Sequence, residues 1–260
     1  MRLARLGLFY EPKFDFGVFD EAGYAVKSAE TSLHHYVLSR EWDPTWEVAD
    51  LGANRGLLSA ELARRVRHVA SVDRERPDRA GDAEAIAYDL DGEFDDLLGR
   101  RRFDAVLALD VIEHLANPEE SARRIANILK PGGLLYASTG NIAFLVIRLS
   151  LLLGQFNYGK RGILDLTHSR LFTTYSFKKL LVNSGFVIKE VRGFGPPIRD
   201  MIGTSGTLSA LDAASARLAR LWPRMFAFNF LVVAQKAEEL DDIYARTAAS
   251  ARSDLSVPPR

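Results

Sequence analysis

The chain has no cysteine, which excludes disulfides, thiolate zinc sites and cysteine nucleophiles. It also has no excess of charge: 34 lysines and arginines balance 34 aspartates and glutamates, so no overall positive field exists to attract nucleic acid. The sequence offers no transmembrane segment, and its first residues lack the sustained apolar core of a signal peptide. These absences favour a cytoplasmic globular enzyme, and 260 residues suffice for one large domain with insertions.

What the sequence does contain, from Glu47 onwards, is an alternation of strand-like and helix-like segments. This alternation is typical of a parallel sheet with crossover helices, and it predicts an α/β fold. The predicted strands are 47–52, 68–72, 85–89, 103–109, 133–138, 186–193 and 228–236. The predicted helices are 56–66, 118–129 and 174–184, with a further helix near 28–40.

Some parts of the chain fall outside this alternation. Residues 1–46 are too few for a separate domain, and we interpret them as a helical cover on one side of a ligand cleft. The insertions 141–172 and 194–227 follow strand ends at which open α/β sheets bind ligands, so we interpret them as lids of the domain 47–237. The charged tail 238–260 is expected to be partly disordered.

The segment from Val48 to Gly56 joins an apolar strand to a helical pattern through a Gly-x-x-x-Gly turn. Such a corner brings backbone N–H groups to a ligand. Asp50 precedes the glycine Gly52 by two residues, and a carboxylate there would repel a pyrophosphate but suits a positively charged ligand. This favours S-adenosylmethionine, which carries an ammonium group. It disfavours an NAD-dependent oxidoreductase, because the chain has Gly-x-x-x-Gly where such enzymes have the Gly-x-Gly-x-x-Gly fingerprint.

The corner is one of four sequence pieces that occur in a fixed order. They are Asp50–Gly56, Ser71–Asp73, Phe103–Leu115 and Leu129–Gly133. In these pieces the chain resembles class I S-adenosylmethionine-dependent methyltransferases, and it is most similar to the small-molecule group related to ubiquinone-biosynthesis O-methyltransferases. The resemblance covers roughly 47–140 and resumes at the last two strands. It implies a Rossmann-like, seven-stranded, mostly parallel sheet with helices on both faces and lid insertions, and S-adenosyl-L-methionine as the cofactor.

The resemblance also implies a set of cofactor-binding residues. Asp73 would accept both ribose hydroxyls, although a carboxylate at a strand end also caps turns. Asp89 would accept the adenine amino group, although the following Asp91-Gly92 is a strong turn signal. The segment 74–82 is short, charged and broken by a proline where relatives have a helix, so the adenine side is expected to be more open. The full set is Asp50, Gly52, Ala53, Asn54, Gly56, Asp73, Asp89, Leu90, Asp110 and Val111.

Two histidines are the candidate catalytic residues. Methyl transfer mainly requires alignment and exclusion of water, and a base is needed only for an acceptor proton of high pKa. His168 lies in a segment that resembles the His-x-Arg-x-Phe-Thr element of methyltransferases associated with polysaccharide and glycolipid biosynthesis. This resemblance would place His168 and Arg170 over the acceptor. Tyr175 is a further candidate substrate-binding residue. His114 follows Glu113 in the family's Glu-His-Leu motif. Each histidine also has a structural alternative, which is to order its own loop.

The acceptor is the least determined part of the sequence-based prediction. The apolar segment 142–153 is interpreted as packed lid core, with an acceptor channel or a shallow membrane contact as alternatives. We expect transfer to an oxygen of a small molecule, with sugar or glycolipid intermediates first and a quinone-like or natural-product acceptor second. A non-catalytic cofactor-binding protein is a further alternative. No metal site is expected, because no second spaced set of ligands accompanies Asp110, Glu113 and His114.

Overall fold

The computed structural model describes residues 32–98, 101–196 and 206–237. Its elements in chain order are α1 (Leu33–Leu38), β1 (Glu47–Leu51), α2 (Leu57–Ala63), β2 (His68–Asp73), β3 (Glu84–Ala87), α3 (Phe94–Leu97), β4 (Phe103–Leu109), a 3₁₀ turn (Ile112–His114), α4 (Pro118–Ile128), β5 (Leu129–Gly140), α5 (Leu145–Leu152), α6 (Thr174–Asn183), β6 (Phe186–Phe194), α7 (Gly206–Leu221), α8 (Pro223–Phe226) and β7 (Asn229–Lys236). The predicted parts 1–31, 197–205 and 238–260 lie outside the described residues.

The seven strands form one sheet in the order β3-β2-β1-β4-β5-β7-β6. Strand β7 runs antiparallel to both of its neighbours, and the remaining neighbours pair in parallel. The predicted α/β, Rossmann-like, mostly parallel sheet is therefore confirmed. The strand order reverses between β1 and β4, and such a reversal opens a ligand crevice at the carboxyl ends of the two strands.

Both faces of the sheet are covered, because successive strand residues point to opposite sides. On β1, Val48 belongs to the apolar cluster that contains Leu62 of α2, and Ala49 belongs to the cluster that contains Ile125 of α4. All four side chains are almost completely buried. Two buried faces explain why the strand sequences are apolar throughout rather than alternating, and they hold the carboxyl ends of the strands in fixed positions.

Several element boundaries differ from the prediction for local reasons. Strand β5 begins at Leu129 rather than at 133, because Leu129 already pairs with Phe103 before the register shift between the two strands. Strand β3 ends at Ala87, so Asp89 lies in a turn that is closed by the Gly92 N–H donating to the Asp89 carbonyl at 2.9 Å. Helix α2 ends at Ala63 rather than at 66, and of the helix predicted near 28–40 the described residues contain Leu33–Leu38.

The two insertions meet at the carboxyl edge of the sheet. The ends of the first are joined by a parallel bridge between Asn141 and Phe172. The Asn141 amide nitrogen also donates to the carbonyls of Ala227 at 2.9 Å and Pro223 at 3.2 Å, in the second insertion. Helix α5 of the first insertion contains no buried residue, so it does not supply the apolar core of a lid.

Candidate functional site

A cavity of about 830 Å³ lies beside the strand ends at which the sheet order reverses. Its volume is in the range that holds a small molecule the size of a nucleoside. Its wall contains eight residues that the sequence singled out, namely Gly52, Asn54, Asp73, Asp89, Leu90, Asp110, Val111 and His114. No residue of the two insertions, as far as the structure describes them, belongs to this wall.

The glycine corner after β1 is built so that little side-chain volume enters the cavity. Gly52 has a φ of +69°, and a Cβ on it would lie 2.4 Å from a methyl of Val111. Asn54 also adopts a positive φ of 50°, a conformation that asparagine tolerates better than most residues. At Gly56 a Cβ would lie 2.8 Å from the Ala80 Cα, so this glycine is required by the neighbouring loop.

Asp73 at the end of β2 is tied to the glycine corner. Its Oδ2 accepts a hydrogen bond of 2.7 Å from the Asn54 N–H. The side chain therefore does cap a backbone donor, although this donor lies on the corner rather than in the next turn. Its other oxygen has no hydrogen-bond partner within the described part of the chain, and the half-buried carboxylate lies in the cavity wall. A free acceptor at this position fits a ligand hydroxyl.

The adenine side of the cavity matches the expected departure from the family. No helix connects β2 to β3, and the loop between them lines the cavity instead. Asp89 is exposed there, with its Oδ2 3.3 Å from the Arg74 Nε. The hydrogen bond from the Asp91 N–H, followed by the contacts with Arg74, lowers the pKa of Asp89. Leu90 is buried beside it and lines the same cavity.

Three predicted cofactor-binding residues lie behind the wall rather than in it: Asp50, Ala53 and Gly56. Asp50 is 3% exposed, and its Oδ2 accepts a 2.6 Å hydrogen bond from Ser59 of α2. Burial raises the pKa of Asp50, the hydrogen bond from Ser59 opposes this rise and the charge of Asp73 adds to it, with a net pKa of about 6. The described contacts of this carboxyl group are thus to the protein interior.

Asp110 follows β4 in a left-handed conformation with a φ of 56°. Its Oδ1 accepts hydrogen bonds of 2.7 Å from the Ser138 hydroxyl and 2.7 Å from the Asn229 amide. Non-glycine residues in this conformation are strained and persist where surrounding bonds hold them, which is common at functional sites. The two bonds fix the carboxylate in the cavity wall beside Val111.

Glu113 is a buried acidic residue of the 3₁₀ turn after β4. The residue is 1% exposed, and its Oε2 has no hydrogen-bond partner among the residues that the structure describes. Burial, and then the nearby charge of Asp110, raise the pKa of Glu113 to about 8. The signal in the sequence was an acidic residue inside the apolar run that includes Ile112 and Leu115. Because the group is protonated at neutral pH, it adds no negative charge to the site.

The structure brings the two candidate histidines together. Their ring centroids lie 4.6 Å apart with an interplanar angle of 74°. His114 lies in the cavity wall, whereas His168 is half-buried and is not part of that wall. The His168 Nδ1 is 3.0 Å from the Ile163 carbonyl. Burial lowers the pKa of His168, as does the neighbouring His114, while the Ile163 carbonyl opposes this effect.

The remaining candidates lie away from the cavity. Arg170 forms an ion pair with Glu119 in the first turn of α4. Tyr175 is 65% exposed in the first turn of α6. Neither residue lies in the cavity wall. Within the described ranges, no group of three or more His, Asp or Glu side chains is arranged to hold a metal ion. None of the described helices is both long and apolar enough to cross a bilayer.

The charges around the cavity fit a cationic ligand. Arg55 is paired with Asp78 at 2.6 Å, and Arg74 is paired with Asp89, so these charges largely cancel. Asp73 and Asp110 enter no salt bridge among the residues that the structure describes. Two uncompensated carboxylates favour a positively charged group in the cavity, and S-adenosylmethionine carries both a sulfonium and an ammonium group.

Comparisons with known proteins identify the family. A family model described as a methyltransferase domain matches residues 25–191. The ubiquinone biosynthesis O-methyltransferase of Bradyrhizobium diazoefficiens is 30% identical over 154 residues, which are 56% of this chain and 60% of that protein. The enzyme of the same name from Caulobacter vibrioides is 37% identical over 100 residues, or 35% of this chain and 40% of that protein. The chain thus matches about half the length of these relatives.

Solved structures share the fold at low sequence identity. The Burkholderia thailandensis 1,6-didemethyltoxoflavin-N1-methyltransferase, solved with S-adenosylhomocysteine, matches with a TM-score of 0.54 and 17% identity, over 82% of this chain and 80% of that one. The [4+2]-cyclase SpnF matches with a TM-score of 0.53 and 17% identity, over 85% of this chain and 86% of its own. The fold alone therefore hosts different reactions. With the family model covering most of the chain, and with the glycine corner and acidic cavity in place, the chain belongs to the class I methyltransferases that use S-adenosylmethionine as methyl donor.

Proposed function

We propose that this methyltransferase transfers the methyl group to a hydroxyl oxygen of a small molecule. The observation that carries the proposal is His114, an imidazole in the cavity wall close to the strand-end residues Asp110 and Val111. Transfer to a hydroxyl requires a group that takes the hydroxyl proton, whereas transfer to an already nucleophilic atom requires only alignment. A neutral imidazole is the usual protein base near neutral pH.

We assign the cofactor contacts from the same wall. Asp73 accepts the ribose hydroxyls, Asp89 and Leu90 hold the adenine, and Asp110 lies on the side of the methionine part. The donor supplies an electrophilic methyl group on a sulfonium. Support for these roles comes from the free acceptor oxygen of Asp73 and from the uncompensated charge of Asp110. Asp50 contributes through the corner that it stabilises from within.

Sugar or glycolipid intermediates are our first acceptor class. Helix α5 exposes Leu149 and Leu152, the latter at 81%, and Leu153 follows at 75%. Residues 141–164 contain two arginines and one lysine but no acidic residue. An exposed apolar helix that carries a cation, with further cations after it, is typical of a segment that lies in the surface of an anionic membrane. We therefore infer that the first insertion contacts such a surface and that the acceptor is carried on a lipid.

A quinone-like acceptor is the second candidate class. The observation that favours it is the printed name of the relatives, which are ubiquinone biosynthesis O-methyltransferases. An apolar acceptor of that kind would use the same exposed surface. A natural-product acceptor belongs to this second class, and cytoplasmic localisation remains a prediction from the sequence.

The acceptor is tested with S-adenosylmethionine that carries a tritiated methyl group. The purified enzyme is incubated with a lipid-linked sugar, the matching free sugar and a hydroquinone, and the labelled product is separated by chromatography. We expect label in a methyl ether, and more of it on the lipid-linked sugar than on the free one. Label attached to nitrogen or carbon would refute O-methylation, and label only on the hydroquinone would favour the second class.

Membrane contact is tested by sedimentation with vesicles of anionic or zwitterionic lipid. We expect binding to the anionic vesicles, and its loss in Leu152→Glu, since that change places a charge on the apolar surface. Val187→Glu is the matched control, because Val187 is also exposed, at 51%, but lies on β6 outside the insertion. Equal binding by the wild type and Leu152→Glu would exclude α5 as the contact.

A further inference from the structure

The first insertion returns to the site through a set of hydrogen bonds to the 3₁₀ turn after β4. The Ser169 N–H donates to the Glu113 carbonyl at 2.8 Å, and the Ser169 hydroxyl lies 2.5 Å from the Leu115 carbonyl and 3.0 Å from the Glu113 carbonyl, to which it can donate its single proton. The Arg170 N–H also approaches this carbonyl, at 3.2 Å. These bonds hold the loop 163–170 against His114, although the loop is distant from it in sequence.

Within this loop, Asp165 and Thr167 form a closed turn. The Thr167 N–H and the Thr167 hydroxyl both donate to the Asp165 Oδ1, each at 2.8 Å. A hydroxyl has a single proton, so the Thr167 oxygen is left with lone pairs alone for any further contact. Its further contact is the His114 Nδ1, at 3.1 Å.

These contacts decide which nitrogen of His114 carries the proton. Besides the Thr167 hydroxyl, the Thr167 carbonyl lies 3.3 Å from the Nδ1, and a carbonyl can only accept. Both neighbours of the Nδ1 are therefore acceptors, and the Nδ1 is the protonated nitrogen. The Nε2 of the neutral ring then holds the lone pair, which is the requirement for a base.

His168 has a different position in the same cluster. The Ile163 carbonyl accepts from its Nδ1, so the proton of this ring is also fixed. Its ring packs edge-on against His114 and lies outside the cavity wall. His168 is therefore a neutral neighbour that supports the ring of His114, which is the structural alternative that the sequence left open for it.

We propose that Asp165 and Thr167 are positioning residues for His114, and that the chain Asp165–Thr167–His114 makes the His114 Nε2 the base of the reaction. This inference rests on the proposed O-methylation. As the acceptor oxygen forms its bond to the methyl carbon, its proton passes to the His114 Nε2, and the carbon–sulfur bond breaks with its electron pair left on sulfur. The imidazolium so formed donates from Nδ1 to Thr167, whose hydroxyl donates to the Asp165 carboxylate.

The charged and titratable groups around His114 are consistent with this role. They are Asp110 and Glu113 from the strand end and Asp165 and His168 from the insertion. The raised pKa of the buried Glu113 favours its neutral, protonated form, and the lowered pKa of His168 favours its neutral form, so neither adds a charge beside His114. Asp165 is connected to the His114 ring by the hydrogen bonds of the Thr167 hydroxyl.

The first test measures the ring nitrogens of His114 by NMR in protein labelled with ¹⁵N-histidine, with the signal assigned from His114→Gln. We expect a protonated Nδ1 in the wild type and a mixture of tautomers in Thr167→Val. The matched control is Thr45→Val, because Thr45 makes the same pair of bonds to Asp43, at 2.8 and 2.7 Å, without a histidine. A protonated Nε2 in the wild type, or an unchanged tautomer in Thr167→Val, would overturn the proposal.

The second test measures methyl transfer. We expect His114→Gln to lower kcat by about 100-fold or more, and Thr167→Val by about 10-fold, with unchanged KM for the methyl donor. Thr167→Ser should restore the rate, since it keeps the hydroxyl, and Thr45→Val should leave the rate unchanged. A kcat of Thr167→Val equal to that of the wild type would refute the positioning role. If the NMR result holds but label appears on nitrogen, the proposed O-methylation fails while the hydrogen-bond chain stands.

Discussion

Glu113 offers the sharpest test of the electrostatics of the site. The residue is 1% exposed, and one of its carboxyl oxygens has no hydrogen-bond partner in the described ranges. Burial and the charge of Asp110 raise its pKa from 4.5 to about 8 in the folded protein. The perturbation is Glu113→Gln, which keeps the size of the side chain and stays neutral at every pH.

The sign of the effect follows from linkage between protonation and folding. A carboxyl group whose pKa is raised by folding binds its proton more tightly in the folded state, so its contribution to stability is fully present below about pH 4.5 and is lost as the pH rises to about 8. At 1.36 kcal/mol per pH unit, the loss for Glu113 between about pH 5 and pH 8 is roughly 3–4 kcal/mol. The glutamine variant has no such loss.

The assay is urea unfolding of the wild type and Glu113→Gln at a series of pH values. We expect the free energy of unfolding of the variant, relative to the wild type, to increase by roughly 3 kcal/mol from pH 5 to pH 8. Asp50→Asn is the control, because burial raises the pKa of Asp50 only to about 6, so its effect ends at lower pH. A constant difference between wild type and Glu113→Gln across this range would show that Glu113 is ionised in the folded protein.

Two further predictions concern the glycine corner and the ribose site. Gly52→Ala should destabilise the fold by about 2–5 kcal/mol in thermal unfolding, because it combines a left-handed backbone with a clash against Val111. Gly154→Ala is the control: this glycine has a φ of +73° but open space around it, so the change should cost about 1–2 kcal/mol. Equal costs for the two variants would contradict the packing argument. Asp73→Ala should weaken S-adenosylmethionine binding by about 100-fold in calorimetry, and Glu61→Ala, which removes an exposed ion pair with Arg64 outside the cavity wall, by less than about 3-fold. Unchanged affinity in Asp73→Ala would refute the ribose assignment.

Patterns that are local in sequence were predictable. The apolar strand Val48–Leu51 and the turn that follows it were visible as residue types at fixed spacing, because backbone conformation there is set by neighbours in the chain. The proline in the 74–82 segment correctly predicted the absence of a helix between β2 and β3. The early start of β5 was not visible, because pairing of Leu129 with Phe103 is a contact between strands.

The roles of individual polar residues required the tertiary structure. Asp50 was expected at the ligand but is bonded to Ser59 inside the protein, and Arg170 was expected at the acceptor but pairs with Glu119. In both cases the residue type is visible in the sequence, but its hydrogen-bond or ion-pair partner is not, because that partner lies on another helix or strand. The raised pKa of Glu113 is not visible in the sequence for the same reason, since it arises from burial in the folded protein.

The sequence by itself determined the fold class, the family resemblance and the methyl donor, because strand alternation and the corner around Gly52 are encoded in neighbouring residues. Only the tertiary structure decided how the two histidines are arranged. His114 and His168 are separated by an entire strand and an insertion, and their rings meet because the loop that carries Ser169 is bonded back to the turn after β4. The same loop places Thr167 against the His114 Nδ1 and so sets the proton position on that ring. Residue spacing along the chain does not reveal this contact.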